Sequence, residues 1–118
     1  MTDQQIDFEL ALAIGYAPDR VRIQKFWYKG DYRHLVQVLN DYSRMDGPMQ
    51  YGAWQRFDHK DPAVIWPIAE RFDAFPKQGE SLKDFWFVGE AGLNEKWSLC
   101  AATASALAVI EHCKKDKP

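Results

Sequence analysis

Three groups of residues in this chain combine side-chain types that can do chemistry. The first is Asp58-His59-Lys60-Asp61, an imidazole set among carboxylates, the combination used by a general base or a metal ligand. The simpler reading is a helix start. Asp61 before Pro62 is an N-cap followed by proline at the first helical position, leaving Asp58-His59-Lys60 as a solvated connection. A working site needs convergent ligands, and the sequence shows none; His34 and His112 stand alone. The second group is the cysteines. Cys100 falls near the start of a helix, where a thiol is activated, but alanine-rich surroundings fit an inert buried thiol. Cys113 lies thirteen positions on along the same helix, about 20 Å away, so the two cannot form a disulfide with each other.

The third group is a basic, aromatic segment. Arg20, Arg22, Lys25, Lys29 and Arg33 fall within fourteen residues, interleaved with Phe26, Trp27, Tyr28 and Tyr32. Guanidinium groups and ring faces stack bases and neutralise phosphates. The alternative is an amphipathic hairpin with a solvated outer face. Strand alternation sets Arg22, Phe26 and Tyr28 on one face, with Ile23, Lys25 and Trp27 on the other. A further aromatic stretch, Phe85-Trp86-Phe87-Val88, is apolar on both faces of a strand. Either helices cover both faces, or the one carrying Trp86 is a protein interface.

The elements that position these residues follow from periodicity and breakers. Thr2 and Gln5 form a capping-box pattern ahead of Ile6, Leu10, Ala13 and Ile14, and Gly15 stops that helix. Val21 to Tyr28 and Tyr32 to Leu39 read as a hairpin about Lys29-Gly30-Asp31. Asn40 to Tyr51 reads as loop, and Ala53 to Phe57 as a third strand. A helix follows Asp61-Pro62, and Pro67 predicts a short turn through Trp66 before a kinked main helix that ends ahead of Pro76. Phe85 to Val88 and a returning strand at Trp97 and Leu99 precede a small-residue helix from about Ala101 to Lys114. The expected fold is one α+β domain over residues 1–118: three helices on an antiparallel sheet of four to five strands, in the order αββ(β)αββα.

Composition narrows the function classes. The chain has 118 residues, 47% of them apolar, with seven Phe, five Tyr and five Trp, which excludes a disordered chain. Residues 1–60 carry eight basic and eight acidic side chains and residues 61–118 seven and nine, so neither half has the footprint of a duplex-binding protein. No apolar run is long enough to span a membrane and no leader pattern opens the chain, which predicts a soluble, cytoplasmic protein with reduced thiols. Glycine-rich nucleotide loops, His-Glu-x-x-His, Cys-x-x-Cys and the Gly-x-Ser-x-Gly elbow are all absent. The sequence therefore assigns no catalytic residue, no metal ligand and no cofactor.

The stretch from Phe57 through Asp61-Pro62 to Trp66-Pro67-Ile68 resembles the most recognisable segment of the NinX family of small bacteriophage proteins. Asp7-Phe8-Glu9 and the Ala101 to Ile110 helix are similar to that family's ends, while Lys60-Asp61 and residues 21–56 depart from it. The resemblance implies a phage or prophage accessory protein in the cytoplasm of a bacterial host, with no catalytic residue to carry over. The expectation is a non-enzymatic protein that binds a bacterial host protein stoichiometrically, inhibiting a host or antiviral defence system such as CRISPR. Its expected contact residues are Arg20, Arg22, Lys25, Trp27, Tyr28, Arg33 and Trp86. The alternative is a sponge for a small nucleotide, held in a basic aromatic pocket and built across a homo-oligomer.

Overall fold

A computed structural model describes residues 2–43, 50–79, 84–89 and 98–115. The chain opens with helix α1, Asp3–Ala13. Its capping box forms as the sequence predicts. Thr2 Oγ1 accepts the Gln5 amide at 3.2 Å, and Gln5 Oε1 accepts the Thr2 amide at 2.8 Å. Ile6, Leu10 and Ala11 are buried on the inner face, and Gly15, at φ +116°, ends the run.

A 3₁₀ turn at Pro18–Arg20 leads into strand β1, Val21–Tyr28, which pairs antiparallel with β2, Asp31–Ser43. Lys29 and Gly30 between them both have positive φ, +49° and +82°, as a two-residue type I′ hairpin turn requires. Strand β3, Gln50–Arg56, pairs antiparallel with the far half of β2, giving the sheet order β1-β2-β3. The loop expected over Asn40 to Tyr51 is therefore shorter. Strands β2 and β3 run into it, pairing Asp41 with Gly52 and Tyr42 with Tyr51. Ladder bonds outweigh the turn preference of single residues; residues 44–49 of the expected loop lie outside the described residues.

Helix α2, Pro62–Phe72, is capped by Asp61, whose carboxylate accepts the Ala63 amide at 3.0 Å. It is one helix. The expected break at Trp66 does not occur, because burial of Ile65, Ile68 and Ala69 holds the helix together across the bond Pro67 cannot donate. Asp73, in the left-handed region at φ 52°, terminates it. Short strands β4, Lys77–Gln78, and β5, Trp86–Phe87, form a second antiparallel sheet. Among the described residues the strands thus fall into two sheets, of three and two, where a single sheet of four to five was expected. Instead of a returning strand, Ser98 exchanges two backbone bonds with Trp86, at 2.7 and 3.0 Å; Trp97 lies outside the described residues.

Helix α3, Ala101–Lys115, packs against both α1 and α2. Ala104, Ala106 and Val109 are fully buried, so small side chains line the meeting of three helices. Val21, Val36 and Val38 join this core from the base of the large sheet. Among the described residues no helix is long and apolar enough to cross a membrane.

Candidate functional site

Beyond its base, the β1–β2 hairpin leaves the core and becomes an arm. Val21 is buried, but of the next seven residues of β1 six are exposed and one is intermediate. Register fixes the two faces. One carries Ile23, Lys25, Trp27 and, across the ladder, Tyr32 and His34; the other carries Arg22, Phe26, Tyr28, Arg33 and Leu35. Trp27 and Tyr32 meet edge to face at 4.8 Å while remaining 61% and 56% exposed, and Ile23 and Tyr28 are 51% and 44% exposed.

Cations lie over these rings on both faces. Lys25 Nζ sits 4.1 Å from the Tyr32 centroid, and the Arg33 and Lys29 head groups lie 5.1 and 5.3 Å from Tyr28. Nearer the base, the Arg22 guanidinium covers Trp54 at 4.1 Å and bonds Gln37 through Nε at 2.9 Å. Arg22, Tyr28 and Arg33 therefore share one face and Lys25 and Trp27 the other, the division that strand alternation predicts for β1. Arg20 lies in the 3₁₀ turn before the strand. Trp86 belongs to the second sheet, half-buried and bonded to Ser98. Its neighbours Phe87 and Val88 are buried, while Phe85, like Trp86, is half-buried. Phe75, just beyond the end of α2, is 49% exposed and stacks on Trp66.

A cleft of about 720 Å³ runs along the arm, between β2 and the start of α1. Phe26, Tyr28 and Tyr32 supply rings, Arg33, Arg56 and Lys60 the cations. Asp3, Asp7 and Asp58 oppose them: Lys60 bonds Asp3 at 2.8 Å, and Arg56 approaches Asp58 at 3.4 Å. The bond to Asp3 raises the Lys60 ammonium above the ordinary lysine range, against a smaller effect of burial.

Behind the cleft lies a group that the sequence reading misplaced. His59 is not in a solvated connection; it is 0% exposed. Its backbone amide and Nδ1 both reach Asp7 Oδ1, at 2.7 and 2.5 Å, and Nε2 lies 2.9 Å from Thr103 Oγ1. One polar chain thus fastens α1, the entry to α2 and the first turn of α3. The order carboxylate–imidazole–hydroxyl matches a nucleophile with its base, but with Thr103 at 8% exposure and His59 at 0% a substrate atom has no approach to Nε2. Asp7, Asp58 and His59 also offer one ligand atom each within 4.8 Å, yet both ring nitrogens already have partners, so a cation would have to displace one. The missed signal was Asp7, a carboxylate one position after Ile6 on the inward side of an amphipathic helix.

Cys100 precedes α3, its carbonyl accepting the Ala104 amide at 3.0 Å. Burial works to raise its pKa. The Thr103 hydroxyl, the Thr103 and Ala102 amides and the Lys60 charge outweigh that and hold the thiol below its ordinary value. Cys100 and Cys113 are both free and partly exposed, where full burial was the simpler expectation. Comparisons with protein-family models, curated proteins and solved structures found no match to this chain.

Proposed function

We propose that this protein acts by stoichiometric binding to a protein partner, with the β1–β2 arm as its contact element. The observation that carries the reading is the group of Ile23, Trp27 and Tyr32 on one face of the ribbon, each more than half exposed where it leaves the core. Large apolar side chains gathered in one place mark interaction surfaces, and Trp and Tyr dominate the energetics of such contacts. Lys25 beside them, and Arg22 and Arg33 on the opposite face, favour a partner with acidic groups at the rim. With the resemblance to small phage proteins, the partner is a bacterial host protein, and the consequence of binding is modulation of a host or antiviral defence system.

The test is co-purification from a bacterial host with a tagged copy, followed by reconstitution from purified components. A partner in fixed ratio that is lost with Trp27→Ala/Tyr32→Ala, while the variant keeps its melting temperature, supports the reading. Retention of the partner by that variant overturns it.

A small nucleotide in the cleft is the second reading, favoured by Tyr28, Tyr32, Arg33, Arg56 and Lys60 lining it together. Asp3, Asp7 and Asp58 on the same walls oppose a phosphate. A thermal-shift screen with cyclic nucleotides separates the two, since saturating ligand at about 100 times its Kd stabilises by about 2.7 kcal/mol.

A further inference from the structure

The hydrogen-bonding edge of β2, as distinct from its faces, is incomplete beside the cleft. In a two-residue hairpin the residues flanking the turn exchange bonds, so Asp31, Arg33, Leu35 and Gln37 direct their backbone groups toward β1. Tyr32, His34 and Val36 direct theirs the other way. Gln37 is the first β2 residue paired with β3, opposite Arg56. Phe57 then donates its amide to Val36 C=O at 2.8 Å. From there the chain turns away toward Asp58, and among the described residues no strand pairs with β2 between the turn and Val36.

The protein partly fills this lane with side chains. Asp31 Oδ1 accepts the Tyr32 amide at 2.8 Å, and Gln4 Nε2 reaches His34 C=O at 3.4 Å. Gln4 thus supplies a primary-amide N–H where a neighbouring strand would supply a backbone one. The lane is five residues long, about 17 Å at strand spacing, and opens onto the 720 Å³ cleft. An object that completes such an edge must offer alternating N–H and C=O groups, which an extended peptide does.

We propose that an extended, acidic segment of a protein partner adds as a strand to β2 at Tyr32–Val36, displacing Gln4 from His34. Its side chains opposite Arg33 meet that guanidinium, which favours a carboxylate, while Asp3 and Asp58 on the cleft wall are already paired with Lys60 and Arg56. This rests on the protein-binding reading above but uses the strand edge, not the aromatic face.

The probe is a capped peptide of about seven residues alternating Glu and Val, added to the ¹⁵N-labelled full chain. The expected result is slowing of hydrogen exchange at the His34 amide by at least about tenfold, with the Arg33 and Leu35 amides already protected before peptide is added. Methylating the peptide amides that face β2 weakens binding by about tenfold or more, and methylating the alternate amides changes it less than about twofold. Arg33→Glu weakens the Glu peptide and favours a Lys/Val one; His34→Pro removes the donor at a position that gives none to β1. Equal binding by both methylated peptides, no binding at millimolar peptide, or protection that grows with protein concentration alone overturns the proposal, the last in favour of a second copy. Loss of edge binding with Trp27-dependent partner binding intact fails the edge and spares the face; the reverse fails the face.

Discussion

Asp7 and His59, fifty-two positions apart in sequence, are joined twice, by the His59 amide and by its ring Nδ1, both to Asp7 Oδ1. Because His59 continues to Thr103 through Nε2, one imidazole ties together helices from both ends of the described chain. Breaking a buried pair by removing one partner leaves the other polar group desolvated and unpaired. Asp7→Ala therefore lowers unfolding free energy by about 3–5 kcal/mol, measured as the urea midpoint at constant m. The exposed Lys60–Asp3 pair gives the contrast: Lys60→Ala costs less than about 1 kcal/mol. Its pKa is raised in the fold, so that small increment is present below the ordinary lysine range and disappears as pH rises through the raised value.

Ser105 is fully buried, and its hydroxyl has no hydrogen-bond partner among the described residues. Replacing it with alanine removes an unsatisfied polar group from a helix already rich in alanine. Ser105→Ala is expected to raise stability by up to about 1 kcal/mol, read as an increase in melting temperature.

Cys100 titrates below an ordinary thiol. Its alkylation by a neutral maleimide is expected to reach half-maximal rate at lower pH than that of a model thiol. Thr103→Val moves the profile back toward higher pH. A thiolate favoured by the fold adds stability above the ordinary thiol range, and that increment is lost as pH falls through the folded pKa. Mass mapping of the labelled peptide against pH checks the order.

Lys29 occupies a left-handed conformation at φ +49° that β-carbon sterics disfavour and asparagine tolerates. Lys29→Asn is expected to stabilise the hairpin by about 0.5–1 kcal/mol. Denaturant unfolding checks it, with hydrogen exchange at Phe26 and Arg33 locating the gain in the arm.

Local chemistry made much of this fold readable. The capping box, the Asp61-Pro62 start, the Lys29-Gly30 turn and the alternation of the arm each act within four residues, where steric and hydrogen-bonding preferences decide. What escaped depended on distant partners. Pro67 stays helical because Ile65 and Ile68 are buried; Asn40 to Ser43 extend because a strand answers them. His59 is buried because a carboxylate and a hydroxyl arrive from far along the chain. The arm's basic and aromatic residues were legible by type. Their division between two faces followed from alternation, but the cleft and the open β2 edge required knowing where β3 stops.

The separation between the arm's anchored base and its exposed end has an evolutionary consequence. Val21, Val36 and Val38 hold the ribbon to the core, while Ile23 to Tyr32 touch little besides one another and solvent. Substitutions at the tip can be accepted without a folding penalty, since surface changes away from packed contacts shift stability by only about 0.5 kcal/mol. On the binding role proposed above, selection can retune what the tip grips, residue by residue, while the helical body stays unchanged. Under that role a lineage carrying this scaffold is free to follow a target that is itself changing.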